Sequence, residues 1–328
     1  MRIAVDAMGG DYAPQQAVLG SVLAAKEEKI ASVLVGRSEE ISRELAQYED
    51  VPPDLITIKE AREVVEFNDQ PAIAVRKKRD SSIVVANQLV KAGEADAVIS
   101  AGSTGASMTA SLFVLGRIPG ISRPAIAIPL PTVKGVTVLL DAGANAENDP
   151  EDLVQFGVMG SIYASAVLGL AAPKVALLSI GEEETKGNKL VIDTHQLLKE
   201  SGLDFMGNIE GKDLLLGAAD VVVCDGFVGN IILKFAEGMA TAIFQKMKEA
   251  LLQSTLTKIG ALAIKPGLKQ LKDSFDYSEY GGAPLLGVKG VSIISHGRSD
   301  AKAYKNAIKA AANGVRQDMI GKIQASLI

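Results

Sequence analysis

The sequence predicts an α/β fold, a three-layer α/β/α sandwich built around a mixed, mostly parallel sheet. Short unbroken apolar runs, such as AVIS before Ala101 and VVVC before Asp225, are typical of parallel strands because both faces of such strands are buried. Between these runs, apolar residues recur every three or four positions, which is the period of a helix. Regular alternation of the two patterns predicts right-handed βαβ units with helices on both faces of the sheet.

Individual elements follow in chain order. The predicted early elements are a strand from Arg2, a helix over Pro14–Lys29, a strand at 33–35, a helix over Glu39–Tyr48, and strands at 55–58 and 125–130. The run AIAIPLPTVKGVTVLL differs, because the short turn PTVKG between two apolar runs predicts an antiparallel hairpin. The segment Ser299–Ile328 is predicted to be one long helix with Ser299 as its N-cap.

Composition narrows the class of protein. With 328 residues, 48% of them apolar, and no linker rich in Pro, Gly or Ser, we expect a single domain over residues 1–328. The absence of Trp and the net charge of −5 argue against nucleic-acid binding. A single cysteine, Cys224, and a strand directly after Met1 predict a cytosolic protein. In the sequence, no apolar run reaches the roughly 18 residues of a membrane span.

The stretch 230–275 interrupts the alternation of strands and helices. Apolar residues at helical steps lie on both sides of Ser254, and the dipeptide Pro266-Gly267 predicts a break farther along. Between residues 240 and 272 the chain carries six lysines and one acidic residue, Glu249. In a chain of net negative charge, this local excess of positive charge predicts a protruding helical hairpin that takes part in binding.

Two interpretations of this hairpin remain open. An apolar tip with lysine flanks is typical of an interfacial membrane anchor or of a contact with an acidic partner. Under that interpretation the residues in contact with an anionic membrane are Leu256, Ile259, Leu262 and Ile264. The alternative is that the apolar side chains pack on the core or in a dimer interface, and this alternative is favoured for 235–251.

Seven apolar runs adjoin a short cluster of glycine with Asp, Asn, Ser, Lys or His. The clusters are DAMGGD (6–11), SAGSTGA (100–106), LDAGAN (140–145), IGEE with KGN (180–188), DGFVGN (225–230), YGGAPLLG (280–287) and HGRS (296–299). Ligands of a parallel sheet bind beyond the carboxyl ends of its strands. Glycine lets backbone N–H groups approach an anion, and the polar side chains add donors. Together the clusters predict a phosphate-handling site on one edge of the sheet.

Three side chains in these clusters are predicted to be catalytic. Lys186 would bind phosphate as a point charge, although surface lysines are usually solvated. His296 follows a strand and would donate to an oxyanion or to a leaving sulfur, with a structural histidine as the alternative. Asn230 would add a side-chain donor, and the alternative is an asparagine that tolerates a left-handed turn. The other histidine, His195, is expected at the surface of a helix and is discarded.

Further residues are predicted to bind phosphate. Ser103, Thr104 and Gly105 have the pattern of a phosphate nest at a helix N-terminus, which is a common pattern. The remaining predicted phosphate-binding residues are Gly9, Gly10, Asn145, Asn188 and Gly226. The aspartates at the strand ends would repel phosphate, so we expect them to cap helices or to orient the neighbouring donors.

In this order, from Arg2 to the C-terminal helix, the seven clusters closely resemble the PlsX family of phosphate acyltransferases. The one departure is Ala142, where Val would be as readily expected. The resemblance implies transfer of a long-chain acyl group from acyl carrier protein to inorganic phosphate, and the acyl phosphate product would feed a downstream membrane glycerol-phosphate acyltransferase. It also implies a homodimer, a fold similar to isocitrate/isopropylmalate dehydrogenases and phosphotransacetylases, and peripheral attachment to the membrane.

The residue types suit this reaction. Phosphate is already an anionic nucleophile, so the site needs donors that hold phosphate and stabilise an oxyanion rather than a Ser or Cys nucleophile. Cys224 is expected to be a buried strand residue. Two histidines and one cysteine, far apart in the chain, cannot form a zinc site of ordinary spacing, so no metal and no other cofactor is expected. A magnesium site formed by Asp residues stays open as the alternative, although the reaction does not require one.

Three other functions compete with this one. A phosphotransacetylase that moves a short acyl group between coenzyme A and phosphate would have nearly the same site chemistry, and it remains the alternative. A nicotinamide-dependent dehydrogenase is disfavoured because DAMGGD lacks the G-x-G-x-x-G spacing. A membrane-docked scaffold ranks last, because it would leave the seven polar clusters without a purpose.

Overall fold

The computed structural model describes residues 1–274 and 280–327. Its strands are β1 (Arg2–Asp6), β2 (Ala31–Gly36), β3 (Ile56–Glu60), β4 (Ala97–Ser100), β5 (Ala125–Ile126), β6 (Ile128–Thr132), β7 (Gly135–Leu140), β8 (Val175–Ser179), β9 (Phe205–Glu210), β10 (Val221–Val223), β11 (Ala283–Leu286) and β12 (Val291–Ile294). Its helices are α1 (Gln15–Leu23), extended by a π-helical turn (Ala24–Glu28), α2 (Ser38–Leu45), α3 (Pro71–Lys77), α4 (Ser82–Lys91), α5 (Thr104–Val114), α6 (Pro150–Ala166), α7 (Lys189–Glu200), α8 (Gly211–Leu214), α9 (Gly226–Leu251), α10 (Thr255–Ser274), α11 (Ala301–Arg316) and α12 (Met319–Ala325).

The strands form two sheets. One has seven strands in the order β3-β2-β1-β4-β12-β11-β5, and the other has five in the order β6-β7-β10-β8-β9. In the first, only β11 runs against its neighbours, and in the second only β6 does. The predicted α/β class with mixed, mostly parallel β structure is confirmed. The glycine clusters, however, are divided between two sheets instead of following one.

The predicted antiparallel hairpin is confirmed as β6 and β7, whose pairing ends at Thr132 opposite Gly135. The prediction for the C-terminus is wrong in two respects. The N-cap of α11 is Asp300, whose carboxylate accepts from the backbone N–H of Ala303 at 2.9 Å, and Ser299 lies one residue earlier. The helix also ends at Arg316, because Asp318 has a left-handed backbone (φ 48°) and caps the separate helix α12.

A buried carboxylate joins the two sheets. Asp141, directly after β7, is fully buried and accepts from the backbone N–H of Ile126 in β5 at 3.0 Å. The same carboxylate accepts from the backbone N–H groups of Gly143, Ala144 and Asn145, at 3.1, 2.9 and 2.8 Å. Strand β5 belongs to the seven-stranded sheet and β7 to the five-stranded one, so one side chain fixes the loop after β7 against the other sheet.

The start of helix α9 packs against this loop. An added Cβ at Gly229 would lie 1.8 Å from the carbonyl oxygen of Asp141, and one at Gly226 would lie 2.2 Å from that of Asn145. The first turns of α9 are therefore packed backbone against backbone. Asp225 fixes their start, because its carboxylate accepts from the N–H of Val228 at 2.9 Å.

The stretch predicted as a helical hairpin consists of α9 and α10, and its last residue, Phe275, lies outside the described residues. Ser254 lies between the two helices, as expected. The predicted break is wrong, because α10 runs through Pro266 and Gly267. That the two helices pack as a hairpin remains a prediction.

The apolar stripe of α9 does not pack on the core of its own chain, which was one expectation for 235–251. Phe235, Met239 and Ile243 are 68%, 44% and 52% exposed. Within the described residues, α9 is also the one helix long and apolar enough to cross a membrane by length and composition, although no run in the sequence predicted it. One such helix is weak evidence of a span. Its first turns, with buried Gly226 and Leu233, belong to the α/β body.

The packing of α9 predicts opposite effects for two glycines of the same helix. Gly229→Ala should destabilise the fold by about 2 kcal/mol or more, since its Cβ would overlap the Asp141 carbonyl. Gly238→Ala meets no atom within 4 Å and should stabilise the helix by up to about 1 kcal/mol. Urea unfolding of both variants measures the difference. Equal stability of the two would contradict the close packing described above.

Candidate active site

A cleft of about 420 Å³ opens at the carboxyl ends of the central strands of the seven-stranded sheet. The loop after β4 contributes Ser103, Thr104 and Gly105, and the loop after β12 contributes Ser295 to Arg298. Asp11, Phe67 and Lys234 complete the wall. The cleft therefore brings together two of the predicted glycine clusters and the end of a third.

Close backbone contacts hold these three loops together. A Cβ at Gly9 would lie 2.8 Å from the backbone nitrogen of Gly102, so neither loop leaves room for a side chain there. Gly10 has φ 95°, a left-handed conformation that favours glycine, and its Cβ position is 3.1 Å from the carbonyl oxygen of Gly297. The N–H of Asp11 donates to that carbonyl at 2.7 Å. Gly9 and Gly10 thus shape the cleft without lining it.

The buried Asp6 carboxylate holds the loops after β1 and β4 together through hydrogen bonds. It is 3% exposed and accepts from the hydroxyl of Ser100 at 2.6 Å, and Ser100 in turn accepts from the N–H of Gly102 at 3.1 Å. Burial raises the pKa of the Asp6 carboxyl, while hydrogen bonds from Ser100 and Ser82 oppose that rise. Asp6 therefore orients the loops after β1 and β4, as expected for an aspartate at a strand end.

The N-terminus of α5 faces the cleft. Ser103 is the N-cap, and its side chain makes no capping hydrogen bond. The first intrahelical hydrogen bond runs from the N–H of Ser107 to the carbonyl of Ser103. The backbone N–H groups of the first turn, at Thr104 and Gly105, consequently have no acceptor within the helix. Such groups, aligned with the helix dipole, attract an anion. The structure thus places the predicted nest residues Ser103, Thr104 and Gly105 at the wall of the cleft.

His296 presents a defined tautomer. Its Nδ1 accepts from the backbone N–H of Arg298 at 3.0 Å, so Nδ1 carries no hydrogen and the proton of the neutral ring lies on Nε2. The exposed ring lines the cleft and can donate from Nε2 to a bound oxygen. Beside it, the hydroxyl of Ser295 is buried and has no hydrogen-bond partner in the described residues. This oxygen lies against the backbone of Gly282, where an added Cβ would come within 3.1 Å of it, so the protein encloses it.

Two cations of the cleft were missed by the sequence analysis. Lys234 lies on α9 and Arg298 follows His296 and Gly297. Arg298 makes no ion pair with the described residues, whereas Lys234 pairs with Glu237 at 3.0 Å. A signal for Lys234 was present, because Gly226, Asn230 and Lys234 are four residues apart and share one face of a helix. Because Asn230 precedes Lys234 by one turn, this face of α9 leads from the loop after β7 to the cleft.

The second group of predicted residues lies around that loop. The side-chain amide of Asn145 donates to Asp141 at 2.9 Å and to the carbonyl of Pro124 at 2.8 Å, so its donors are engaged within the protein. Gly226 packs on the carbonyl of Asn145. The exposed side chain of Asn230 lies beside Gly143, where an added Cβ would come within 3.2 Å of it. Asn145 and Gly226 therefore stabilise the junction on which Asn230 is carried.

Lys186 and Asn188 lie after β8, at the carboxyl end of the five-stranded sheet. Lys186 is exposed and makes no ion pair with the described residues, and its carbonyl accepts from the Ser179 hydroxyl at 3.1 Å. Asn188 is the N-cap of α7, where its side chain accepts from the N–H of Val191 at 3.0 Å. The two residues are not among those that line the cleft.

The expectation that His195 lies at the surface is wrong. It is 3% exposed, its Nδ1 lies 2.8 Å from Oδ1 of Asn208, and its ring packs edge-on against Phe205. Asn208 also donates to the carbonyl of Glu183 at 3.0 Å, so His195 lies behind the loop that carries Lys186. Polar residues surround His195 in the sequence, so the pattern did not indicate that this side of α7 is buried.

Cys224 is 4% exposed, as expected, and burial raises the pKa of its thiol well above the usual value. A neutral, inaccessible thiol is a poor nucleophile. Among residues 1–274 and 280–327, no group of three or more His, Cys, Asp or Glu side chains could hold a metal ion. The residues that line the cleft offer N–H, hydroxyl, imidazole and cationic donors.

Comparison with known proteins identifies the family. A family model described as "Fatty acid synthesis protein" matches residues 1–322. A phosphate acyltransferase from Desulfitobacterium hafniense is 57% identical over 328 residues, which cover 100% of this chain and 97% of that one. Another, from Pelotomaculum thermopropionicum, is 54% identical over 327 residues, with 100% and 95% covered. This chain belongs to the phosphate acyltransferase family.

Solved structures support the same fold at much lower identity. A phosphotransacetylase from Streptococcus pyogenes has a TM-score of 0.66 and 19% identity, covering 96% of this chain and 94% of that one. A 4-hydroxythreonine-4-phosphate dehydrogenase from Klebsiella pneumoniae has a TM-score of 0.57 and 12% identity, covering 96% and 99%. The predicted similarity to phosphotransacetylase and dehydrogenase folds is confirmed.

The tautomer of His296 leads to a prediction about its role. His296→Ala should lower kcat by about 10²-fold and change the KM for phosphate little, because a donor to developing charge acts mainly in the transition state. His296→Asn offers a side-chain donor in a similar place and should retain part of the activity. Steady-state kinetics with varied phosphate and a thermal melt of each variant measure these effects. Unchanged kcat with a lowered Tm would make His296 structural.

Proposed function

We propose that this protein transfers a long-chain acyl group from acyl carrier protein to inorganic phosphate and releases acyl phosphate for phospholipid synthesis. The observation that supports the reaction type is the cleft itself. The open N-terminus of α5 and the cation Arg298 line the same cleft as His296, whose ring offers Nε2–H as a donor. The arrangement is suited to a phosphate dianion lying beside a polarised carbonyl.

The first requirement of the reaction is to hold the phosphate. The N–H groups at Thr104 and Gly105 and the helix dipole of α5 favour an anion at this point. Arg298 and Lys234 add positive charge, with Arg298 able to form paired hydrogen bonds to phosphate oxygens. Fixed in this way, the phosphate gains most from proximity and orientation, since it needs no further activation as a nucleophile.

The second requirement is to stabilise the charge that develops during attack. A phosphate oxygen forms a bond to the thioester carbonyl carbon, and the carbonyl oxygen takes up the negative charge. His296 Nε2–H is the side-chain donor available to that oxygen, and one such donor contributes on the order of 10²–10³ in rate. The carbon–sulfur bond then breaks, and the thiolate takes the remaining proton of the hydrogen phosphate.

The donor is the finer part of the proposal, and an assay tests it. The purified protein is incubated with phosphate and one of three thioesters, palmitoyl-acyl carrier protein, palmitoyl-coenzyme A or acetyl-coenzyme A, and hydroxylamine traps any acyl phosphate. We expect product from the palmitoyl donors, with the carrier protein preferred. Product from acetyl-coenzyme A alone would support the alternative, a phosphotransacetylase. No product from any thioester would overturn the proposed function.

Lys186 does not line the cleft, so its predicted contribution to phosphate binding from the loop after β8 is tested by substitution. Lys186→Ala should raise the KM for phosphate about tenfold or more with the fold intact, since a charge-assisted hydrogen bond is lost. The matched control is Lys91→Ala, which changes an exposed lysine at the end of α4. It should leave kcat and the KM for phosphate unchanged. Initial rates at varied phosphate distinguish the two variants. Wild-type values for Lys186→Ala would show that it is a surface lysine only.

The same protein is proposed to work as a homodimer at the membrane, in the cytoplasm. The exposed stripe of α9 has the character of a dimer interface, and α10 exposes Ile259, Leu262 and Ile264 at 63%, 71% and 49%. Lys258, Lys265 and Lys269 are exposed on the same helix. Leu256, the fourth predicted membrane contact, lies on the same helix, but its side chain is not among those that the structure describes. Apolar insertion would supply affinity, and each lysine near an anionic surface adds about 1 kcal/mol.

Membrane attachment through α10 is testable by charge insertion. The double variant Leu262→Glu with Ile264→Glu should lose sedimentation with anionic vesicles and should keep acyl-phosphate synthesis in solution. The matched control is Val133→Glu with Leu216→Glu, which places two acids at exposed apolar sites in the β6–β7 turn and just after α8, 79% and 54% exposed. If the α10 variant still sediments as the wild type does, the anchor lies elsewhere. If sedimentation velocity shows a monomer, these side chains belong to the dimer interface.

A further inference from the structure

A second exposed surface adjoins the cleft on α3 and α5. We define it as the α3 patch, formed by Ile73, Arg76, Lys77, Arg79 and Phe113. Ile73 and Phe113 are 49% and 47% exposed, and the guanidinium of Arg76 lies over the Phe113 ring, 4.8 Å from its centre. The three basic side chains are all exposed.

The charges of the patch are available to a partner. Within the described residues, Arg76, Lys77 and Arg79 make no ion pair, whereas the neighbouring Lys78 is held by Asp69 at 2.6 Å and by the carbonyl of Val64 at 2.8 Å. Asp80, the next acid in the chain, accepts from the backbone N–H of Arg62 at 3.3 Å. Three unpaired cations beside two apolar side chains are therefore exposed on a chain whose net charge is −5.

The patch is connected to the cleft through both helices. An added Cβ at Gly105, in the cleft wall, would lie 2.9 Å from Pro71 at the start of α3. The contact between Arg76 and Phe113 lies near the other ends of α3 and α5, so the two helices leave the cleft side by side. At 1.5 Å per residue, Arg76 lies about 8 Å along α3 and Phe113 about 14 Å along α5 from the cleft. Phe67, just before α3, lines the cleft itself.

We propose that the α3 patch is the docking surface for a small acidic carrier protein that delivers the acyl thioester to the cleft. This inference rests on the proposed function, since it names where the proposed donor binds. Arg76, Lys77 and Arg79 pair with carboxylates of the carrier, and Ile73 and Phe113 contact an apolar side chain among them. The flexible prosthetic arm of a carrier bound here runs along α5 and reaches the phosphate at the N-terminus of that helix.

An acidic protein fits this patch better than a lipid surface. The ring of Phe113 is covered by Arg76, so it is placed for contact at a protein interface and not for insertion between acyl chains. Complementary charge at the rim of such an interface steers the encounter and fixes orientation, and its effect weakens with salt. A carrier that must leave after each transfer benefits from this kind of contact, because the charges act mainly on the rate of association.

Charge reversal tests the proposal. Arg76→Glu with Lys77→Glu should raise the KM for palmitoyl-acyl carrier protein about tenfold or more, and this difference should shrink as salt is added. The kcat/KM for palmitoyl-coenzyme A, which has no protein to dock, should stay within about twofold of the wild type. The matched control, Arg316→Glu with Lys322→Glu, reverses two exposed charges at the far end of α11 and on α12 and should change neither value. Binding of a fluorescently labelled carrier, followed by anisotropy, measures docking independently of turnover.

The outcomes separate the docking surface from the proposed function. Weaker carrier binding with intact use of palmitoyl-coenzyme A supports the proposal, and partial recovery in Arg76→Gln with Lys77→Gln supports it further. Equal loss with both donors would assign the patch to the stability of the cleft and overturn docking. Unchanged carrier kinetics, or an effect confined to vesicle sedimentation or to dimer formation, would also overturn it. A wild-type protein inactive with every carrier thioester would instead contradict the proposed donor.

Discussion

The buried carboxylate of Asp141 is the interaction on which the rest of the structure depends. It accepts hydrogen bonds from β5 of one sheet and from the loop after β7 of the other, so it fixes the two sheets relative to each other. The carbonyl of the same residue is the surface on which Gly229 packs. Because a buried carboxylate left without partners is costly, the loop conformation and the start of α9 are determined together.

The cleft follows from that arrangement. With its first turns fixed, α9 carries Asn230 and then Lys234 along one face toward the loops of the seven-stranded sheet. There the backbone contacts around Gly9 and Gly102, supported by Asp6 and Ser100, position the uncapped N-terminus of α5 at the cleft. The proposed anion binding thus depends on main-chain geometry more than on any one side chain, in keeping with the many glycines at the strand ends.

The surfaces beyond the cleft have separate proposed roles. The exposed apolar stripe of α9, the lysine-flanked α10 and the α3 patch lie on different elements, so dimer formation, membrane contact and donor docking can be altered one at a time. An enzyme with the proposed protein donor and the proposed long-chain product needs surfaces of this kind, because both must be exchanged without unfolding the cleft.

The sequence by itself determined the fold class, the β6–β7 hairpin and the glycine clusters, because burial period and turn chemistry are local properties of the chain. It also singled out Ser103, Thr104, Gly105 and His296, each close to a strand end, and these residues line the cleft. Only the tertiary structure decided that the strands form two sheets, that His195 is buried, and that Lys234 and Arg298 face the cleft. These properties depend on contacts between residues far apart in the chain, and a local pattern carries no record of which distant residue will be its neighbour.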